Sequence, residues 1–71
     1  MDRMPITSFH LRSVGYDADT NTLEVEFRDG GLSRYSGVPA SVHVYLMASA
    51  SPGGYFNTHV KQAGYPCTKV R

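Results

Sequence analysis

The sequence contains one cysteine, no tryptophan and no long apolar run. Because Cys67 has no partner in the chain, no internal disulfide can form, which suits a reducing compartment. No stretch stays apolar for the roughly 20 residues that cross a bilayer. The start, MDRMPITSF, also lacks the apolar region of a signal peptide. These absences predict a cytoplasmic protein that does not associate with membranes.

A chain of 71 residues is expected to form a single domain, 1–71, without internal repeats or linkers. A domain of this size buries only roughly 60% of its unfolded surface, so it has little room for an internal cavity. The hydrophobic content of 41% argues against intrinsic disorder. A functional site would therefore be a shallow surface groove.

Acidic residues are absent from the second part of the chain. The first 30 residues carry six acids and three arginines, a net charge of −3, whereas the rest carry four cations and no acid. The net charge of the whole chain is only +1. Such an asymmetry can make one face basic, although four cations are a weak electrostatic footprint for nucleic acid.

The sequence also lacks a recognisable catalytic or metal-binding pattern. Its histidines, His10, His43 and His59, fall on different predicted elements, and no nucleophile–base spacing or metal-ligand spacing is present. Gly53 and Gly54 are not followed by the lysine of a phosphate-binding loop, and backbone geometry explains them more simply. We expect a non-enzymatic domain with no cofactor and no metal.

The most regular segment, TLEVEFR at residues 22–28, alternates apolar and polar side chains as an antiparallel strand does. Polar turn residues precede it and DGG follows it, which predicts a meander with strands at about 9–16, 22–28 and 32–36. Leu11 and Val14 are three residues apart, so a bulge near Ser13 would bring both to the core. Glu24 and Glu26 are expected on the solvated face.

A first helix is predicted over residues 40–50, because Pro39 stops the sheet and suits a first helical turn. One face of this helix is apolar, and the opposite face is hardly polar. No charged residue occurs between residues 36 and 60, so the helix is either covered on both sides or meets a partner. The opposite face is a candidate interaction surface, composed of Val44, Met47 and Ala48.

A second helix is predicted over residues 52–63, with Ser51 as N-cap and Gly64 as the stop signal. A helical wheel places His59 in the apolar arc with Tyr55, Phe56 and Val60, so His59 is expected to pack rather than react. Asn57 and Lys61 lie on the polar arc, four residues apart. They either act together on a ligand, or Asn57 bonds nearby backbone while Lys61 solubilises the surface.

These elements predict an α+β fold, a three-stranded antiparallel β-meander packed against two consecutive α-helices. The tail YPCTKVR either adds a short strand or packs against the domain. Tyr35 is expected in the core rather than on a nucleic-acid-binding surface. The predicted core consists of Leu11, Val14, Leu23, Val25, Phe27, Tyr35, Val42, Tyr45, Leu46, Phe56 and Val60.

Four segments, in order and with matching spacing, resemble the KTSC domain family: SVGYD, LEVEFRDGG, RYSGVPASV and YFN. The resemblance covers nearly all of the chain, from about Thr7 to Val70. The family is named after its occurrence at the C-terminus of some lysyl-tRNA synthetases, and it includes stand-alone small bacterial and phage proteins. It implies a domain of unknown function without catalytic residues, for which the synthetase context suggests RNA binding.

The chain departs from the family pattern at two positions. Tyr35 matches the second tyrosine of a central Y-x-Y motif, but Ser33 replaces the first. His43 stands where the family usually has a tyrosine. If the first tyrosine of the motif stacks on a base in the family, this chain lacks that contact.

Two functional hypotheses remain open. The first is weak binding of RNA or another nucleic acid through the basic later part of the chain, with contacts from Arg34, Asn57, Lys61, Lys69 and Arg71. The alternative is a protein-interaction or self-association module that uses the charge-free region 36–60 and its face of Val44, Met47 and Ala48. The two hypotheses are compatible, because formation of a homodimer would double the basic surface.

Overall fold

The structure, a computed structural model, describes residues 2–71 as a five-stranded antiparallel sheet with helices packed on one face. The strands follow one another across the sheet in chain order. Within residues 2–71, the helices fall short of the length and apolarity that a bilayer-spanning helix requires. The strands are β1 (Arg3–Pro5), β2 (Leu11–Asp17), β3 (Thr22–Phe27), β4 (Leu32–Tyr35) and β5 (Cys67–Lys69), and the helices are α1 (Ala40–Ala48) and α2 (Pro52–Phe56), which continues directly into a π turn (Asn57–Lys61).

The predicted α+β meander is present as β2, β3 and β4, but the prediction of three strands is wrong. Two further strands, β1 and β5, pair antiparallel with β2 and β4 and form the edges of the sheet. Each has only three residues, and β1 ends in a proline. Such short edge strands show no alternation in the sequence, because pairing with a distant strand determines their conformation.

The predicted bulge at the start of β2 is confirmed. The register between β2 and β3 shifts between Leu11 and Ser13, which leaves Arg12 as the extra residue. As a result Leu11 and Val14, three positions apart, both reach the core and are fully buried. Residues 9 and 10, which were predicted to open this strand, lie outside it.

The hairpin between β3 and β4 closes at the DGG segment, as predicted. Gly30 has a φ of 93°, a conformation that glycine adopts without strain. The amide of Phe27 donates to the carbonyl of Gly31 at 2.8 Å, and the side chain of Asp29 accepts a hydrogen bond from the Gly31 amide at 2.9 Å. This short turn fixes where β3 ends.

The core lies between the sheet and the helices, and it contains most of the predicted residues. The prediction that Tyr45 belongs to the core is wrong, because this residue is 61% exposed. Helix α1 is rotated so that Val42, Leu46 and Met47 contact the core, while His43 stacks on the ring of Tyr16 with centroids 5.0 Å apart. The buried hydrophobic residues are Leu11, Val14, Leu23, Val25, Leu32, Tyr35, Val38, Leu46, Phe56 and Val60.

The second helix changes geometry where the sequence predicts a continuous α-helix over residues 52–63. The amide of Gln62 donates to the carbonyl of Asn57 at 3.0 Å, five residues back, as in a π-helix. Val60 still reaches the core, but the wider turn moves His59 into solvent. The prediction that His59 is buried is therefore wrong; its ring lies beside that of Tyr55, with centroids 4.3 Å apart.

Candidate functional site

The five predicted nucleic-acid-binding residues lie in three places. Asn57 and Lys61 come together on the π turn, where both are exposed. Arg34 and Arg71 lie on the face of the sheet that is turned away from the helices, where they form ion pairs with Glu24 and Glu26. Lys69 is exposed on the edge strand β5. The structure therefore joins one pair of the predicted residues and separates the others from it.

Asn57 and Lys61 line a surface groove of about 450 Å³. This groove, which we call the α2 groove, lies between the second helix and the strand ends at Leu11 and Phe27. The rings of Phe27 and Phe56 meet edge to face, with centroids 5.7 Å apart. The complete lining is apolar or polar with one cation and no acid: His10, Leu11, Phe27, Gly53, Gly54, Phe56, Asn57 and Lys61.

The loop of residues 7–10 reaches the groove through His10, and hydrogen bonds fix its backbone. The hydroxyl of Ser8 accepts hydrogen bonds from the amides of His10 and Leu11 at 3.3 and 3.4 Å. Arg28, just after β3, donates from Nε to the carbonyl of Ser8 at 2.8 Å and from its amide to the carbonyl of His10 at 2.9 Å. The loop is thereby tied to the end of β3.

The first turn of α2 approaches this loop closely because residue 53 is a glycine. A Cβ atom on Gly53 would lie 3.1 Å from the hydroxyl oxygen of Ser8 and 3.8 Å from Cδ2 of His10. The interpretation of the two glycines as a matter of backbone geometry fits Gly53. Gly54, by contrast, is exposed and has only an ordinary contact near its Cβ position.

Two shallower depressions adjoin the α2 groove. One, of about 500 Å³, extends along the loop to Thr7 and Pro52. The other, of about 280 Å³, lies between Phe9, Phe27, Arg28 and Asp29. His10 lines all three, so together they form one continuous surface around this imidazole.

The sequence interpretation missed Phe9, His10 and Arg28. Phe9 and His10 were assigned to the first strand, where their side chains would alternate across the sheet. The signal that separates them from the strand is Ser8, whose hydroxyl bonds the next amides and so forms a turn before Leu11. Phe9 consequently projects into solvent, 89% exposed, with its ring edge-to-face with His10.

The prediction that Glu24 is solvated is wrong, since only 2% of this residue is exposed. Its carboxylate accepts hydrogen bonds from Arg3 at 2.5 Å and from Nε of Arg34 at 2.7 Å. Burial by itself raises the pKa of Glu24, but hydrogen bonds from Arg34 and Arg3 and their positive charges outweigh it and hold this pKa below its usual value. Arg34 is thus a structural partner of a buried carboxylate.

Glu26 repeats this arrangement two residues further along β3. It accepts hydrogen bonds from the hydroxyl of Ser13 and from Nη2 of Arg71, both at 2.9 Å. The hydrogen bond from Ser13 is the main reason that the pKa of Glu26 is lowered, and the nearby arginines add to it against the opposing effect of desolvation. Arg71 also donates from Nε to the carbonyl of Gly30 at 3.0 Å, so it fastens the end of the chain to the hairpin.

The predicted interaction face of α1 divides in the structure. Val44 is 59% exposed and Ala48 is exposed, whereas Met47 is partly buried against the core. Tyr45 joins the exposed set instead. The apolar surface that α1 presents to solvent, the α1 face, consists of Val44, Tyr45 and Ala48.

Residues 2–71 contain no group of three or more histidine, cysteine or acidic side chains that could hold a metal ion. Around the α2 groove the structure instead assembles an ammonium group, an amide, an imidazole and exposed or half-buried aromatic rings. Such groups recognise ligands by charge, hydrogen bonding and stacking.

Comparison with known proteins gives one consistent result. A family model described as the KTSC domain matches residues 7–65. A protein of Stutzerimonas stutzeri (strain A1501), described as uncharacterized, is 43% identical over 65 residues, which is 92% of each chain. The crystal structure of a KTSC domain protein from Yersinia pestis matches 99% of this chain and 97% of its own, with a TM-score of 0.93 and 36% sequence identity.

Proposed function

This chain belongs to the KTSC domain family, and we propose that it is a non-enzymatic module that binds RNA weakly through the α2 groove. A single cysteine fits action in the cytoplasm, where RNA is abundant and thiols stay reduced. The family resemblance includes occurrence in some lysyl-tRNA synthetases, and this context also favours RNA as the ligand.

The observation that carries this proposal is the convergence of Asn57 and Lys61 on one groove without an acid in its lining. An ammonium group attracts phosphate as a point charge. The amide of Asn57 can both donate and accept hydrogen bonds, which suits the edge of an unpaired base. Both side chains are exposed, so a ligand reaches them without displacing the core.

The cations outside the groove have different parts in this proposal. Arg34 and Arg71 hold Glu24 and Glu26, so their charges are largely balanced within the protein. Lys69, on the exposed strand β5, is available for a peripheral phosphate contact. Because few phosphates are contacted, we expect low affinity and a shallow dependence on salt.

The proposal is tested by titrating a fluorescein-labelled single-stranded RNA of about ten nucleotides at roughly 25 and 150 mM salt. We expect measurable binding at low salt that weakens at the higher concentration. Lys61→Gln should lower the slope of log K against log salt by about 0.7, the value for one phosphate contact on a single strand. Lys69→Gln is the matched control, with a smaller effect. Absence of binding at low salt, or binding that salt does not change, contradicts the proposal.

A second candidate function is protein interaction or self-association through the α1 face. It rests on the exposure of Tyr45 and Val44, 61% and 59%, on a helix without charged residues. Sedimentation velocity of the wild type and of Tyr45→Glu tests self-association. Met47→Glu is a poorer probe, because Met47 packs against the core and its replacement would disturb folding. A wild type that stays monomeric at high concentration rules out self-association.

A further inference from the structure

Phe9 is the most exposed of the large hydrophobic side chains in residues 2–71, at 89%. It contributes nothing to the core, although burial of a phenylalanine ring would stabilise the fold. The packing of the domain does not account for an aromatic ring at this position.

The exposure of Phe9 does not result from a loose loop. Ser8 before it and His10 after it are held by hydrogen bonds from Arg28 to both of their carbonyl groups. The hydroxyl of Ser8 closes the turn from the other side by accepting from two amides. The backbone on both sides of Phe9 is therefore held by hydrogen bonds, and the ring projects from it into solvent.

The surroundings of Phe9 combine polar, charged and apolar residues, among them Arg28, Asp29 and Phe27. Its ring lies edge-to-face with the imidazole of His10, with centroids 5.2 Å apart. Arg28 and Asp29 line the depression beside Phe9, and the oxygen Oδ1 of Asp29 is engaged by the amide of Gly31. Through His10 this depression continues into the α2 groove.

We propose that Phe9 is a stacking platform for one unpaired base of a single-stranded RNA whose phosphates are contacted by Lys61 and Arg28. An exposed aromatic ring beside Arg28, on a surface that continues through His10 into the groove holding Lys61, suits a base joined to phosphates. Bases of a duplex are already stacked on one another, so the site selects single strands. The inference rests on the proposed function and adds to it a stacking contact at Phe9, a phosphate contact at Arg28 and discrimination against duplex RNA.

The absence of tryptophan from the chain permits a direct test of stacking. Phe9→Trp places a unique fluorophore at the proposed platform, and Tyr45→Trp places one at an exposed aromatic position outside the groove. Addition of unlabelled single-stranded RNA should quench the fluorescence of Phe9→Trp and leave that of Tyr45→Trp unchanged. Equal responses of the two variants, or no quenching of the first, overturn the inference.

Affinity measurements separate this inference from the proposal on which it rests. Phe9→Ala should weaken binding of the single strand at least about fivefold, because this is the affinity that stacking of one base on an aromatic ring contributes. The salt slope should stay unchanged, because Phe9 carries no charge. Tyr45→Ala, the matched loss of an exposed aromatic, should bind like the wild type, and a duplex of the same length should bind more weakly. If RNA binds but Phe9→Ala has no effect, or the duplex binds equally well, the inference is wrong and the groove proposal stands. If no RNA binds to the wild type, both fail.

Discussion

Arg34 on β4 donates from Nε to Oε2 of Glu24 on β3 at 2.7 Å, where the two residues are direct neighbours in the antiparallel register. The other carboxylate oxygen is bonded by Arg3, which faces Glu24 across Gly15 on the intervening strand. The network thus ties β1 and β4 to the central strand, on the face that no helix covers.

Replacing Glu24 with glutamine tests this network. Glu24→Gln leaves two arginines without their counter-ion, and we expect the free energy of unfolding to fall by about 2 kcal/mol. Urea unfolding at neutral pH measures the loss. Glu26→Gln is the control: its carboxylate is more exposed, with 17% of the side chain accessible, and we expect a smaller loss. Equal losses in the two variants would show that burial of Glu24 has no special importance.

Arg34 and Lys61 should differ in what their replacement changes. Arg34→Gln removes a partner of Glu24, so we expect lower stability in urea while the salt slope of RNA binding stays as in the wild type. Lys61→Gln should have the opposite result, a lower salt slope with unchanged stability, because Lys61 is exposed on the π turn. If Arg34→Gln lowers the salt slope as much as Lys61→Gln, the sheet face also contacts RNA.

These ion pairs show which features of the fold the sequence could indicate and which it could not. The alternation in β3 and the DGG turn are local patterns, and both correctly predict the central strands. The same alternation places Glu24 in solvent, because a pattern within one strand says nothing of the arginines on other strands. The edge strand β1 is missed for the same reason, since its pairing partner lies elsewhere in the chain. The edge strand β5 realises one of the two alternatives for the tail, the short strand.

The candidate site was predicted in part. Helical spacing correctly brings Asn57 and Lys61 together, but it assumes a regular α-helix and therefore places His59 in the core. In the π turn His59 lies in solvent while Phe56 and Val60 stay buried, and a regular helical wheel does not contain this change of geometry. Phe9 was missed because a strand assignment two residues too long included it.

The stacked pair of His43 and Tyr16 predicts a dependence of stability on pH. Burial lowers the pKa of His43 in the folded protein, so the folded state favours the neutral imidazole. The contribution is fully present above the unfolded pKa, about 6.5, and is lost as pH falls from there through the folded pKa. We expect His43→Phe, which keeps the ring stack, to remove this part of the decline in urea midpoint between about pH 7.5 and 5.

His43→Gln separates the charge of residue 43 from its stacking. This variant has no titrating group and no aromatic ring at position 43, so it should be less stable than His43→Phe at every pH while sharing its shallower pH dependence. The remaining decline at lower pH arises from Glu24 and Glu26, whose lowered pKa values make stability fall as they protonate. If His43→Phe loses stability between about pH 7.5 and 5 as steeply as the wild type, His43 is not the responsible group.

Gly53 and Gly54 form a matched pair for testing how the α2 groove is built. Both lie in the first turn of α2, where alanine is favoured over glycine by up to about 1 kcal/mol. At Gly54 the added methyl has only an ordinary contact, 3.9 Å from Cβ of Ser51, so Gly54→Ala should raise the free energy of unfolding by about 0.5 kcal/mol. At Gly53 the methyl meets the Ser8 hydroxyl oxygen at 3.1 Å, so this hydroxyl, which holds the turn before Leu11, must give way by a few tenths of an ångström. We therefore expect Gly53→Ala to gain no stability in urea and to weaken RNA binding, while Gly54→Ala binds like the wild type. Equal stability and affinity in the two variants would show that close approach at Gly53 does not shape the groove.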